Sequence, residues 1–110
     1  MAESPLVSEE YGFGGAIDCF CKLDGVYTLL DFKTGKAIYP EMMHQVAAYR
    51  QLLLEADQPV FNADCRILRI GRDEDEGFED KLVGNLDKHF ELFKHCLAIY
   101  NLQKEIRGDK

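Results

Sequence analysis

The fold of this chain is decided by a predicted β-hairpin, residues 15–35, which read GAIDCFCKLDGVYTLLDFKTG. The dipeptide Asp24-Gly25 is typical of a two-residue hairpin turn, because both positions of that turn take a positive φ. The arm after the turn, Val26 to Lys33, is rich in β-branched, aromatic and aliphatic residues, which suit a pleated surface. The arm before it is predicted from Gly12 to Lys22. We therefore expect two antiparallel strands in the middle of the fold.

Two aspartates and a lysine are predicted to meet on one side of this hairpin. Counting outward from the turn, Leu23 faces Val26 and Asp18 faces Asp31. Facing residues share one side of a sheet, with their Cβ atoms roughly 4.5–5.5 Å apart. Lys33 lies two residues beyond Asp31 and therefore projects from the same side. A turn one residue longer would instead place one of the two carboxylates on the opposite side.

These three side chains indicate hydrolysis of a phosphodiester. Two carboxylates in direct opposition are unfavourable, and the pKa of one is raised unless a cation lies between them. Oxygen ligands of this kind suit Mg²⁺ or Mn²⁺. A lysine beside such an ion would orient or deprotonate a water molecule and stabilise negative charge that develops on a phosphate. The alternative is that the two aspartates are incidental and lie on the solvated face of an ordinary hairpin.

The remaining pattern predicts a strand before the hairpin, then a helix, a strand and a second helix after it. Pro40 is tolerated as the first residue of the first helix, and Gly108 is well placed to end the second. This order predicts a single α/β domain, residues 1–110, around a mixed sheet. The predicted bounds are Leu6 to Ser8, Glu41 to Ala56, Ala63 to Ile70 and Leu86 to Ile106, with a solvated acidic loop at Asp73 to Asp80. The apolar faces are Met42, Val46, Tyr49 and Leu53 in the first helix and Leu86, Phe90, Phe93, Leu97 and Tyr100 in the second.

The composition argues against several classes of protein. No run of about 18 apolar residues exists and the first ten residues are acidic, so neither a membrane span nor a signal peptide is predicted. Four cysteines without a secretion signal indicate reduced thiols in the cytoplasm, with a zinc or iron–sulfur site as the alternative. The net charge of −7 argues against a surface coated for nucleic acid. Divalent ions would reverse that sign locally, and basic residues concentrate at 33–36 and 66–72.

Three linked motifs resemble the RecB-like branch of the PD-(D/E)XK nucleases. The first is Gly15-Ala16-Ile17-Asp18, the second is Asp31-Phe32-Lys33-Thr34-Gly35, and the third is Gln45 with Tyr49 four residues later. That branch shows a Gly-x-x-Asp strand, an Asp-x-Lys-Thr strand after a hairpin, and a helix with Gln-x-x-x-Tyr. The resemblance covers about residues 5 to 70, and phage and prophage exonucleases are the members that the chain resembles most.

The resemblance implies a restriction-endonuclease-like core and a defined chemistry. The activity would be Mg²⁺-dependent, exonuclease-like hydrolysis of DNA, in phage or mobile-element recombination or repair. Asp18 and Asp31 would be metal ligands, together with the backbone carbonyl of Phe32. Lys33 would be the catalytic lysine.

The third motif implies roles for two residues of the first helix. Gln45 would project towards the site and position the nucleic-acid backbone or Lys33. Tyr49 would help to position the substrate. The alternative for both is a helix packing face with a polar edge, with Tyr49 mainly in the core.

One feature of the family is missing from this sequence. The family usually carries a helix before its first strand, and that helix supplies a Glu or His to the site. Only about ten residues precede the Gly-rich strand here, and Glu3, Glu9 and Glu10 are expected in exposed positions. The resemblance therefore implies a truncated domain, an incomplete site, or a second copy or partner chain that supplies the helix. The alternative function is a catalytically incomplete nuclease-fold module that acts in binding or assembly, and a plain α/β interaction domain is the third hypothesis.

Overall fold

The computed structural model describes residues 1–108 and shows one five-stranded sheet with two helices. Its elements are β1 Ala2–Ser8, β2 Phe13–Leu23, β3 Val26–Thr34, α1 Pro40–Glu55, β4 Asp64–Ile70, β5 Phe78–Leu82 and α2 Leu86–Arg107. The strands lie side by side in chain order, from β1 to β5. Over this described range, no helix is long and apolar enough to cross a membrane.

The sheet is mixed, which confirms the predicted α/β class. Neighbouring strands are antiparallel except for β3 and β4, which are parallel. A parallel pair needs a crossover connection, and α1 provides it. The β2–β3 hairpin therefore lies inside the sheet, while β1 and β5 form its edges.

The central hairpin has the predicted register. Leu23 pairs with Val26, and the pairing continues outward as far as Cys19 with Leu30. The turn Asp24-Gly25 takes φ values of 49° and 82°, and positive values at both positions are what a two-residue turn of this type requires. Because a one-residue slip would move every side chain to the other face, this register fixes which hairpin residues share a side.

The core lies between one face of the sheet and α1. Val46 and Leu53 of the predicted apolar face are buried, and Met42 and Tyr49 pack at the edge of the core. Helix α2 packs on α1, and none of its described residues is buried. The buried core cluster is Ile17, Phe20, Leu29, Val46, Leu53, Val60, Cys65, Ile67 and Val83.

The acidic loop ends earlier than predicted. Strand β5 begins at Phe78 and pairs antiparallel with β4, so the loop does not reach Asp80. Two of its carboxylates form cross-strand ion pairs, Glu79 with Arg69 at 3.3 Å and Asp80 with Arg66 at 3.1 Å. Arg69 and Glu79 face each other directly, whereas Arg66 and Asp80 are diagonal neighbours. Opposite charges at such positions stabilise the pairing of the strands, and the run of acidic residues alone did not indicate this.

The first strand is longer than predicted. It begins at Ala2 instead of Leu6 and includes Pro5, which an edge strand accommodates because one of its sides needs no ladder donor. Glu3, Glu9 and Glu10 are exposed, as expected. In the described structure, the segment before β2 is therefore a strand and a turn, and its acidic side chains face solvent.

Candidate active site

Two of the predicted site residues, Asp18 and Asp31, lie where β2 and β3 separate. Backbone pairing of the hairpin ends at Cys19 and Leu30. Beyond that pair, the backbone N–H of Phe32 donates a 2.9 Å hydrogen bond to Oδ2 of Asp18. A carboxylate oxygen thus replaces a backbone acceptor at the end of the ladder, and the Asp18 side chain is held against β3.

The side-chain alternation of β2 is interrupted beside Asp18. Ile17 and Phe20 both belong to the core cluster, although residues three apart in a regular strand point to opposite faces. Because of this interruption, Ile17 stays fully buried while Asp18, the next residue, turns its carboxylate towards Asp31. The sequence showed the two aspartates but gave no sign of this irregularity.

Asp31 is a buried carboxylate with an unsatisfied oxygen. Its exposed fraction is 2 %, and burial raises its pKa to about 6; Lys33 opposes this shift and the neighbouring carboxylate of Asp18 adds to it. Nζ of Lys33 forms an ion pair with Oδ2 of Asp31 at 3.3 Å, although this contact falls short of a well-formed hydrogen bond. Oδ2 consequently has no hydrogen-bond partner in the described residues. Such burial is costly unless a partner is bound.

Lys33 is held by α1 as well as by its own strand. Nζ donates a 2.6 Å hydrogen bond to Oε1 of Gln45 while it lies beside Asp31. The structure therefore brings Gln45 to the lysine, as the motif implied. The amide oxygen accepts from one of the three donors of the ammonium, so two donors remain for Asp31 and for other groups.

Tyr49 reaches the site over Gly15. A Cβ built on Gly15 would lie 2.7 Å from Cε1 of Tyr49, so only glycine leaves room for the ring there. The pKa of Tyr49 is raised, first by burial and then by the negative charges of Asp31 and Asp18. The phenol is thus close to both carboxylates, and the ring explains the need for glycine at position 15, which the Gly-x-x-Asp motif alone did not explain.

The donor set fits a divalent ion that keeps part of its water shell. Within residues 1–108, no group of three or more His, Cys, Asp and Glu side chains is placed to hold a metal; the candidate ligands at this site are the two neighbouring carboxylates of Asp18 and Asp31. The backbone carbonyl of Phe32 lies on the same strand, between Asp31 and Lys33. Mg²⁺ commonly binds through one or two carboxylates and several waters. The unbonded Oδ2 of Asp31 is the feature that best fits a cation.

The basic segment 66–72 is not an open basic surface. Arg66 is paired with Asp64 and Asp80, and Arg72 with Glu76. Arg69 is 6 % exposed and donates from Nη1 to the carbonyls of Gly35 and Glu76 at 2.8 Å each. The three arginines therefore stabilise the sheet and its loop. Lys33 is the basic residue that the structure brings to the carboxylates.

The cysteines take no part in this site. All four are free thiols, and burial raises the pKa of Cys65 to about 11, as expected of a small apolar core residue. The thiol pKa of Cys19 is also raised, by burial and then by the adjacent Cys21. The described residues thus give no support to the zinc or iron–sulfur alternative.

No protein-family model matches this chain, and comparison with curated proteins finds no significant match.

Proposed function

We propose that this chain is a nuclease domain of the PD-(D/E)XK type, RecB-like in its motifs, that hydrolyses DNA with Mg²⁺ or Mn²⁺. The observation that carries the proposal is Asp31, a buried carboxylate with one unbonded oxygen next to Asp18 and Lys33. Incidental aspartates on a hairpin would be solvated and would keep ordinary pKa values. The cost of burying Asp31 is best explained by a ligand that its oxygens bind.

Each residue has a role that its contacts support. Asp18 and Asp31 would hold the ion with the carbonyl of Phe32; a bound divalent ion supplies a more acidic water and neutralises charge on the phosphate. Lys33 Nζ, kept in place by Gln45, would donate to an oxygen of the phosphate or to the attacking water. Exonuclease-like digestion in a phage or mobile-element system is the setting that the motif resemblance implies.

A second candidate function is a catalytically incomplete module that binds or assembles with a partner. It is favoured by one observation, that the described side chains include no group of three or more His, Cys, Asp or Glu placed to hold a metal. A second copy or a partner chain would then supply the missing ligand. The two candidates differ in whether the chain alone cleaves DNA, so one assay separates them.

The test combines metal binding with cleavage. Mn²⁺ titration is expected to detect a site in the parent that Asp31→Asn loses. The matched control is Asp24→Asn, which changes an acidic residue of the same hairpin at a turn position that asparagine tolerates. Equal Mn²⁺ binding by the parent and Asp31→Asn would refute the metal site.

Cleavage of linear DNA is then compared between the parent, Lys33→Ala and Lys36→Ala. The first proposal expects loss of cleavage in Lys33→Ala by on the order of a hundredfold or more, with Lys36→Ala close to the parent, because Lys36 is exposed. Mn²⁺ binding without cleavage by the parent would support the second candidate instead.

A further inference from the structure

A cleft between α1 and α2 opens beside the candidate active site. Its volume is about 370 Å³, within the range of pockets that bind small organic groups. The walls are mostly apolar, with one aromatic ring from α2. They are formed by Glu41, Met42, His44, Gln45, Phe93 and Cys96.

Gln45 makes the cleft continuous with the candidate site. Its side chain forms part of the cleft wall, and its Oε1 also accepts the 2.6 Å hydrogen bond from Nζ of Lys33. One side chain therefore separates the cleft from the lysine. A phosphate bound by Lys33 would therefore be a neighbour of Gln45, which also lines the cleft.

The residues that line the cleft suit a nucleobase better than a phosphate. Of the described residues that line the cleft, none is Lys or Arg, and Glu41 places a carboxylate there, which repels phosphate oxygens. Phe93 packs against Phe13 and Phe90 and also lines the cleft, and an aromatic ring at that position can stack on a base of any kind. A carboxylate such as Glu41 accepts hydrogen bonds from the exocyclic amino groups of bases, which thymine lacks.

Resting on the proposed function, we infer that this cleft binds the nucleobase adjacent to the cleaved phosphate, stacked on Phe93, with Glu41 favouring amino-bearing bases over thymine. The substrate end is then a strand whose last bases are unpaired, because a base held between two helices is not in a duplex. The cleft thereby sets substrate strandedness at the site.

The test uses single-stranded oligonucleotides with one abasic residue each, cleaved by the unaltered protein in Mn²⁺. Three substrates lack the terminal base, the penultimate base, or a base in the middle of the strand. Loss of one of the two end bases is expected to lower kcat/KM by at least about fivefold, the lower range for one stacked base. Loss of the middle base is expected to change nothing.

Two variants assign the effect to the cleft. Phe93→Leu keeps an apolar side chain but removes the ring, and it is expected to cleave the intact strand as slowly as the parent cleaves the abasic one. Phe78→Leu is the matched control, since Phe78 is an exposed phenylalanine of β5 and does not line the cleft. Glu41→Gln is expected to reduce the preference for adenine over thymine at the sensitive position.

The outcomes distinguish the two proposals. Equal cleavage of all three abasic strands and the intact strand overturns the base-binding cleft and leaves the nuclease proposal standing. Failure of the parent to cleave any strand overturns both. An end-base effect that persists unchanged in Phe93→Leu places the base elsewhere and also overturns the inference.

Discussion

Asp31 links the candidate chemistry to the stability of the protein. Its pKa in the folded state, about 6, lies above the ordinary value of 3.8. Between these values the folded state holds a proton that the unfolded state has released, so raising the pH favours unfolding. Without metal, the charged carboxylate should cost on the order of 3 kcal/mol of unfolding free energy at neutral pH.

Urea unfolding in a metal chelator at pH 4 and pH 7.5 measures this cost. The stability of Asp31→Asn relative to the parent is expected to rise between the two pH values, because asparagine carries no charge. Asp24→Asn should show no such change. A difference between parent and Asp31→Asn that does not vary with pH would mean that the carboxyl titrates normally.

Gly15 is expected to be intolerant of alanine. An added methyl group would overlap the ring of Tyr49, 2.7 Å from Cε1, and overpacking of this kind costs about 1–3 kcal/mol. Gly84→Ala is the control, since nothing lies within 4 Å of its added Cβ. Equal unfolding free energies for the two variants would show that Tyr49 moves aside freely. A further change of Tyr49→Leu should recover much of the loss.

The site could be predicted only in part from these residues. The two-residue turn fixed the register of both arms as far as Cys19 and Leu30, but the ladder ends there, so the predicted facing pair of Asp18 and Asp31 is not part of it. The burial of Asp31 and the need for glycine at position 15 depend on where α1 docks. No local pattern in the hairpin carries that information.

Strand β4 contains two arginines whose contributions should differ sharply. Arg69 is buried and satisfies the carbonyls of Gly35 and Glu76, so Arg69→Ala should cost about 2–4 kcal/mol by leaving buried groups unpaired. Arg66 is more exposed and forms surface pairs, so Arg66→Ala should cost less than about 1 kcal/mol. Chemical denaturation of both variants checks the order, and the reverse order would contradict these contacts.

Helices and strands were predicted correctly where the local sequence pattern favours the same structure as the tertiary contacts do. The apolar spacing of α1 and the turn signal of the hairpin gave their elements correctly. Strand β5 was missed because its residues, FEDKL, have the composition of a loop. Only their pairing with β4 and the ion pairs of Glu79 and Asp80 make them a strand, and such partners are not visible in the segment itself.

Under the proposed function, the charge of the molecule predicts that DNA binding depends on a bound divalent ion. The net charge is −7, and Arg66, Arg69 and Arg72 are occupied by carboxylate partners. We therefore expect Lys33→Ala, which should not cleave, to bind a short strand at least several-fold more tightly with Mn²⁺ than with a chelator. Fluorescence anisotropy at low salt measures this, and equal affinity in both conditions would point to a binding surface independent of the metal.

Helix α2 rests on the outside of α1 without a single buried residue among those described. Few buried contacts mean a low free energy of local opening, so its amide hydrogens should exchange with solvent well before those of α1 and β3. Helix α2, which carries Phe93, would then separate from α1 and pack on it again while the sheet with Asp18 and Asp31 stays folded. A strand end that bridges the two helices would slow exchange along α2 in particular, which makes that helix the natural reporter of an occupied cleft.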